Sequence, residues 1–283
     1  MLSVLLLALA PVAFAATYDD GFTRNSIFPI AAAAYSSNPG ACLNRIFGDG
    51  QLKRQVFQKC DLFNNDMCSG YTGIIPSKNA IVLSFRGTQG FLQLVMEADK
   101  SVFGSQMAWV AGGKVSKYFG DAFNTLWTNG MKDDFLNLRN AHPNYEVWVT
   151  GHSLGGALAS LSASYIVAAG IAPASQVKLV TFGQPRTGDK TYAHAHDTQL
   201  DYSFRVSHWR DMVVHVPNED FEGYYHHDFE AFYKEKMGPS DVTVCKEDED
   251  SNCSDGLLIT TSIDDHLHYF GKDVSGYGAS GCY

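Results

Sequence analysis

Positive charge is scarce in this chain. Against 30 Asp and Glu stand 21 Lys and Arg, a formal net charge of −9. Phosphate backbones are held by dense Lys and Arg, so this balance argues against a nucleic-acid partner. The six cysteines include no Cys-x-x-Cys pair, which removes the close ligand spacing of a structural metal site. His194-x-His196 is not the i, i+4 pair that one helix face presents to a metal, and both histidines are expected on the surface. There is no internal repeat and no low-complexity linker, which favours a single domain. Charge is absent altogether from Met1 to Ala15, an apolar run of Leu, Val and Ala ending in Ala13-Phe14-Ala15. That run is short for a membrane span and reads as a secretory signal peptide, cut after Ala15 or Ala16.

With 45% hydrophobic residues, the remainder can bury a sizeable core. Cys42, Cys60, Cys68, Cys245, Cys253 and Cys282 form an even set, suited to an oxidising compartment. Local spacing favours Cys60 with Cys68 and Cys245 with Cys253, which leaves Cys42 to join Cys282. The acidic run Glu247-Asp248-Glu249-Asp250 reads as the solvated face of a surface hairpin.

The chain is organised around Tyr145 to Ala159. Tyr145, Val147, Trp148, Val149 and Thr150 form a nearly continuous β-branched and aromatic run, as in a strand covered on both faces. Ala157, Leu158, Leu161, Tyr165 and Ile166 then recur at helical spacing. Between the two lies Gly151-x-Ser153-x-Gly155, the pattern of a nucleophile elbow. A serine hydroxyl attacks only when it is held exposed, beside a base and beside donors for the oxyanion. A helix starting at the serine adds its positive N-terminal end.

Upstream, Asn25 to Tyr35 has helical spacing, Gly70 to Ile75 reads as a strand, and Ala80 to Phe85 as a buried strand. The latter runs into Arg86-Gly87-Thr88-Gln89-Gly90, where hydrolases of this architecture build an oxyanion hole. Thr88 and the Leu154 N–H are its expected donors, and Arg86 is expected in a structural ion pair. Phe91-Leu92-Gln93-Leu94-Val95-Met96-Glu97 is apolar except for Gln93 and Glu97. It is either a core helix or a lid, and its place directly after Thr88 favours a lid hinged near Gly90 and Gly104. Tyr118 to Leu138 outlines one long amphipathic helix, ending before Pro143. Val177 to Gly183 gives another buried strand, and Tyr202 to His208 alternates as a strand nearer an edge.

The architecture asks for an acid, then a histidine, after the serine. Asp211 follows the Tyr202–His208 strand after a two-residue link and is preferred to Asp197, Asp201 and Asp220. Among later histidines, His215, His226 and His227 are weaker candidates, the last two as packing or surface groups. Spacing leaves His266 and His268 open.

Five ordered blocks resemble the class 3 lipases, best known from secreted fungal triacylglycerol lipases. They are Ser84-Phe85-Arg86-Gly87-Thr88, Val149 to Gly156, Thr181 to Gly188, Arg210 to Pro217 and Asp265 to Gly271. The loops Gly223 to His227 and Ser262 to His266 look most like the nematode-type secreted members. The resemblance implies an α/β-hydrolase fold over residues 16–283, with a mostly parallel central sheet flanked by helices and a lid segment. It implies Ser153 as nucleophile, Asp211 as orienting acid and His266 as base, which decides between His266 and His268. It further implies Thr88 and Leu154 at the oxyanion hole, Phe91, Leu92, Leu94 and Val95 on the lid, and the three disulfide pairs above. The expected substrate is a lipid or other acyl ester, met at a lipid–water interface, with no metal or organic cofactor required. The lid and the acidic Cys245–Cys253 loop depart from the fungal pattern.

Overall fold

Strand runs that alternate between two apolar sets need a layer on each face, and the chain supplies both. The structure is a computed structural model that describes residues 16–60, 67–96, 102–219 and 221–283. The expected signal peptide, Glu97, Asp220 and the Leu94 side chain lie outside the described residues. Eight strands form one sheet: β1 Gln51–Lys59, β2 Met67–Ile75, β3 Ala80–Phe85, β4 Glu146–His152, β5 Val177–Phe182, β6 Tyr202–His208, β7 Glu230–Tyr233 and β8 Val242–Cys245. They lie side by side in sequence order. β3 to β7 run parallel, while β1, β2 and β8 are antiparallel to their neighbours.

Ile81, Leu83, Phe85, Val147, Val149 and Leu179 pack on one face against helices α3 Lys117–Leu126 and α5 Leu154–Ala168. Val82, Trp148, Val180, Phe182 and Val206 pack on the other, against α1 Phe28–Ala33 and the C-terminal Tyr269 and Val274. Each large side chain so buried stabilises by roughly 1.5–3 kcal/mol. α2 Gln89–Met96 follows β3, and α4 Lys132–Ala141 and α6 Lys190–Gln199 complete the named helices.

Cys42–Cys282, Cys60–Cys68 and Cys245–Cys253 are bonded. The first spans 240 residues. In the chain-entropy account a loop of that size is worth roughly 5 kcal/mol.

Three expectations change. The helix read through Tyr118 to Leu138 is interrupted between α3 and α4, where Asn129 and Gly130 leave helical geometry. Beside that break, Arg54 of β1 holds the buried Asp134 of α4 at 2.6 Å, tying the second half to the sheet edge. β6 is not near an edge, because β7 and β8 lie beyond it. Its alternating polar residues are buried rather than solvated, and two of them are partnered: Arg205 donates to the carbonyls of His227 and Asp248, and Ser207 bonds Glu230. The Glu249 side chain in the acidic run is only 6% exposed and grips Arg186 through both carboxylate oxygens at 2.8 and 2.7 Å.

Candidate active site

Parallel register brings the strand ends to one edge. Phe85 pairs with Gly151, His152 with Phe182, and Phe182 with Val206. The segments that leave β3, β4, β5 and β6 therefore meet.

β4 stops at His152 and α5 starts at Leu154, so the chain reverses within Ser153, at φ 64° and ψ −132°. Few L-residues tolerate that region, and it is held here by the Ser153 N–H bond to the Phe182 carbonyl at 2.9 Å. The flanking glycines are steric necessities. A Cβ on Gly151 would stand 2.0 Å from the Gly155 carbonyl oxygen, and one on Gly155 2.2 Å from that of Phe85. Leu154 opens α5, where first-turn N–H groups have no intrahelical acceptor. On the other side, a Cβ on Gly87 would lie 2.8 Å from Ser153 Cβ. Thr88 is the next residue, and its Oγ1 accepts from the Phe91 N–H at 3.1 Å at the start of α2.

Asp211 and His266 come together by loop-to-loop bonding. The Ser262 N–H donates to the Arg210 carbonyl at 3.0 Å, and the Met212 N–H to that of Ser262 at 3.3 Å. Ser262 also caps the short helix Ile263–Leu267 that carries His266. His266 Nδ1 faces both Asp211 oxygens, at 3.0 and 2.9 Å. Asp211 accepts from the Tyr269 hydroxyl and the Val213 N–H, each at 2.8 Å. Burial alone would raise the Asp211 carboxyl. The His266 charge and hydrogen bond, with Tyr269 and Val213, outweigh it and hold the group below its ordinary value. His266 Nε2 is buried with no hydrogen-bond partner among the described residues. Catalytic hydrogen bonds are often incomplete without substrate.

The rival histidine points elsewhere. His268 Nδ1 bonds the Asp264 carbonyl at 2.9 Å, on a half-exposed ring. Asp201 is exposed, and Asp197 belongs to a cluster on α6 treated below. His226 and His227 are wholly interior, hydrogen-bonded to the carbonyls of Val214 and Asp228. Arg86, expected in an ion pair, instead donates to the Met67 carbonyl and lies over the Phe57 ring.

Three residues of the site were not singled out from the sequence as part of it: Tyr269, Tyr35 and His152. The His152 ring stacks on that of His266 with centroids 4.6 Å apart. Its Nε2 donates to the His266 carbonyl at 2.8 Å, so Nδ1 is the acceptor for the Tyr35 hydroxyl at 2.7 Å. The Tyr35 oxygen in turn accepts the Gly87 N–H at 3.2 Å. Burial, then repulsion from His266, pushes His152 down to about 3, so it is a neutral strut between His266 and the β3 end. His152→Phe is expected to lower kcat by about 10²-fold, the cost of a base displaced by about 1 Å, with KM little changed. Steady-state kinetics that leave kcat intact would discard this role.

α2 is anchored rather than free-standing. Phe91 and Val95 are buried in the core cluster, Phe91 against Phe103, Tyr118 and Phe119, with Leu92 packed partly on it. Gln93 is exposed.

A strained serine between a parallel strand and a helix, at the carboxyl edge of such a sheet, defines an α/β hydrolase. Residues 82–221 match the family model described as lipase (class 3). A Caenorhabditis elegans lipase is 34% identical over 300 residues, 94% of this chain and 83% of that protein. The solved lipase of Rhizopus microsporus var. chinensis superposes with a TM-score of 0.79 at 27% identity, covering 94% of this chain and 91% of its own. A triacylglycerol lipase described as having a serine protease triad at its catalytic centre superposes with a TM-score of 0.77, also at 27% identity, over 92% of this chain and 97% of its own. The chain belongs to the class 3 lipase family.

Proposed function

We propose that this chain is a secreted triacylglycerol lipase that works through an acyl-enzyme on Ser153. The observation that carries this reading is the buried His266, its Nδ1 fixed on Asp211 and its Nε2 unpartnered, stacked on the residue that precedes Ser153. Ser153 Oγ attacks the ester carbonyl and its proton passes to His266 Nε2. The oxyanion accepts from the N–H groups of Leu154 and Thr88. As the acyl carbon–oxygen bond breaks, His266 returns the proton to the leaving glycerol oxygen. Water then attacks the acyl-enzyme, gives its proton to His266, and leaves with the acyl group as a carboxylic acid; the proton goes back to Ser153.

The triacylglycerol class is supported by the family and by the triacylglycerol lipase whose fold this chain shares. Secretion is supported by the apolar Met1–Ala15 stretch, the proposed signal peptide ahead of residues 16–283, and by three disulfides. Helix α2, with Phe91, Leu92, Leu94 and Val95, is the proposed lid. Hydrolysis of tributyrin is expected to rise sharply once its concentration passes the solubility limit. A rate that saturates smoothly through that limit would remove the lid, and turnover of phospholipid with none of triglyceride would reassign the substrate.

A further inference from the structure

Helix α6 was expected to hold His194 and His196 on its surface. His194 is exposed, but His196 has no exposed area, and neither of its ring nitrogens has a partner among the described residues. Buried polar groups are rarely left unpaired, so such a ring asks for an explanation. Its ligand atoms lie within 4.8 Å of those of Asp197 and His227, and its ring stacks on His227 at 3.7 Å. The neighbouring Asp197 also belongs to a second group, with Asp228 and Asp248, whose carboxylate oxygens are again within 4.8 Å of one another. Asp228 Oδ1 is buried and unpartnered too, among the described residues.

We propose that Asp197, Asp228 and Asp248 together bind one Ca²⁺ ion, with His196 bordering the site on its Asp197 side. Ca²⁺ takes carboxylate oxygens at about 2.3–2.6 Å, so oxygens on opposite sides of one ion stand at most roughly 5 Å apart. The three carboxylates meet that limit. Three hard oxygen donors from separate segments suit Ca²⁺, whose geometry is flexible, better than Mg²⁺, which demands a near-ideal octahedron. A ring nitrogen of His196 lies within 4.8 Å of an Asp197 oxygen.

Arg205 lies near these carboxylates, but its guanidinium is taken up by the carbonyls of His227 and Asp248.

The consequence is structural. The ion would join α6, the segment bearing His227 and Asp228, and the Cys245–Cys253 loop. Glu249 in that loop grips Arg186, which holds the carbonyls of His215 and Pro217 downstream of Asp211. The ion takes no part in acyl transfer and the inference does not rest on the proposed reaction.

The test is calorimetric titration of the EDTA-treated, re-dialysed full-length protein with CaCl₂ at pH 8, beside MgCl₂ and ZnCl₂. One Ca²⁺ per chain is expected, and at 100 times its Kd the melting temperature should rise by about 5 °C. Asp248→Asn should abolish both signals. Wild-type protein that stays folded by circular dichroism yet takes up no Ca²⁺ overturns the proposal, whatever the variant does. Uptake of Zn²⁺ alone, lost in His196→Phe and kept in Asp248→Asn, overturns it as well.

Discussion

Ser153→Ala is expected to lower kcat by about 10⁶-fold and to leave the melting temperature close to that of the parent. Alanine keeps the Cβ, so the backbone strain at φ 64° and the Ser153 N–H bond to Phe182 are unchanged. Only the hydroxyl, the proposed nucleophile, goes. Ser153→Gly separates chemistry from strain: it should lose the same activity while gaining stability, because glycine occupies positive φ without steric cost. Both are read by initial rates on a soluble ester and by thermal melting, with labelling of the parent by an active-site phosphonate as the control. Substantial turnover by Ser153→Ala would sink the acyl-enzyme mechanism.

Asp211→Asn is the second large effect, a loss in kcat of about 10⁴-fold. The carboxylate now receives three donors: His266 Nδ1–H, the Tyr269 hydroxyl and the Val213 N–H. An amide offers one oxygen, so its NH₂ must face one of them. If it faces Nδ1, the imidazole shifts its proton to Nε2 and can no longer accept from Ser153. Tyr269→Phe removes a single donor and should cost far less. Stability gives a second reading. A carboxyl held below its ordinary value near 3.8 contributes stability that is present above that pH and is lost as pH falls towards the folded value. The melting temperature of Asp211→Asn should therefore fall less steeply than that of the parent below pH 3.8. Near-parental kcat in Asp211→Asn would move the orienting role to another acid.

Most of the sheet was legible before the structure. The strands at Ala80–Phe85, Glu146–His152 and Val177–Phe182 are apolar on both faces because helices cover both, and such runs announce themselves. The elbow was equally local, two glycines and a serine at an abrupt change of period. Asp211 was readable from its place after β6. His266 was not separable from His268 by spacing; family resemblance chose it, and the two rings differ in what they touch, Asp211 for one and Asp264 for the other.

The misreadings share one origin. Ser203, Arg205 and Ser207 looked like the wet face of an edge strand, Glu249 like a solvated charge, and His196 like a surface histidine. Each is buried or nearly so, and most face groups remote in sequence: Arg205 against His227, Ser207 against Glu230, Glu249 against Arg186, and the His196 ring against that of His227. Tyr35 reaches His152 across 117 positions and Tyr269 reaches Asp211 across 58.

By itself, then, the sequence determined where strands and helices lie, the strained turn at Ser153, and the family. Those are properties of neighbouring residues, written in periodicity and in the steric needs of glycine. Only the tertiary structure decided which polar groups are interior and what faces them: Asp211 against His266 and Tyr269, His152 stacked on His266, Asp197 beside Asp228 and Asp248. A polar side chain has no fixed preference for inside or outside until its partners arrive, because pairing repays its desolvation and solitude does not.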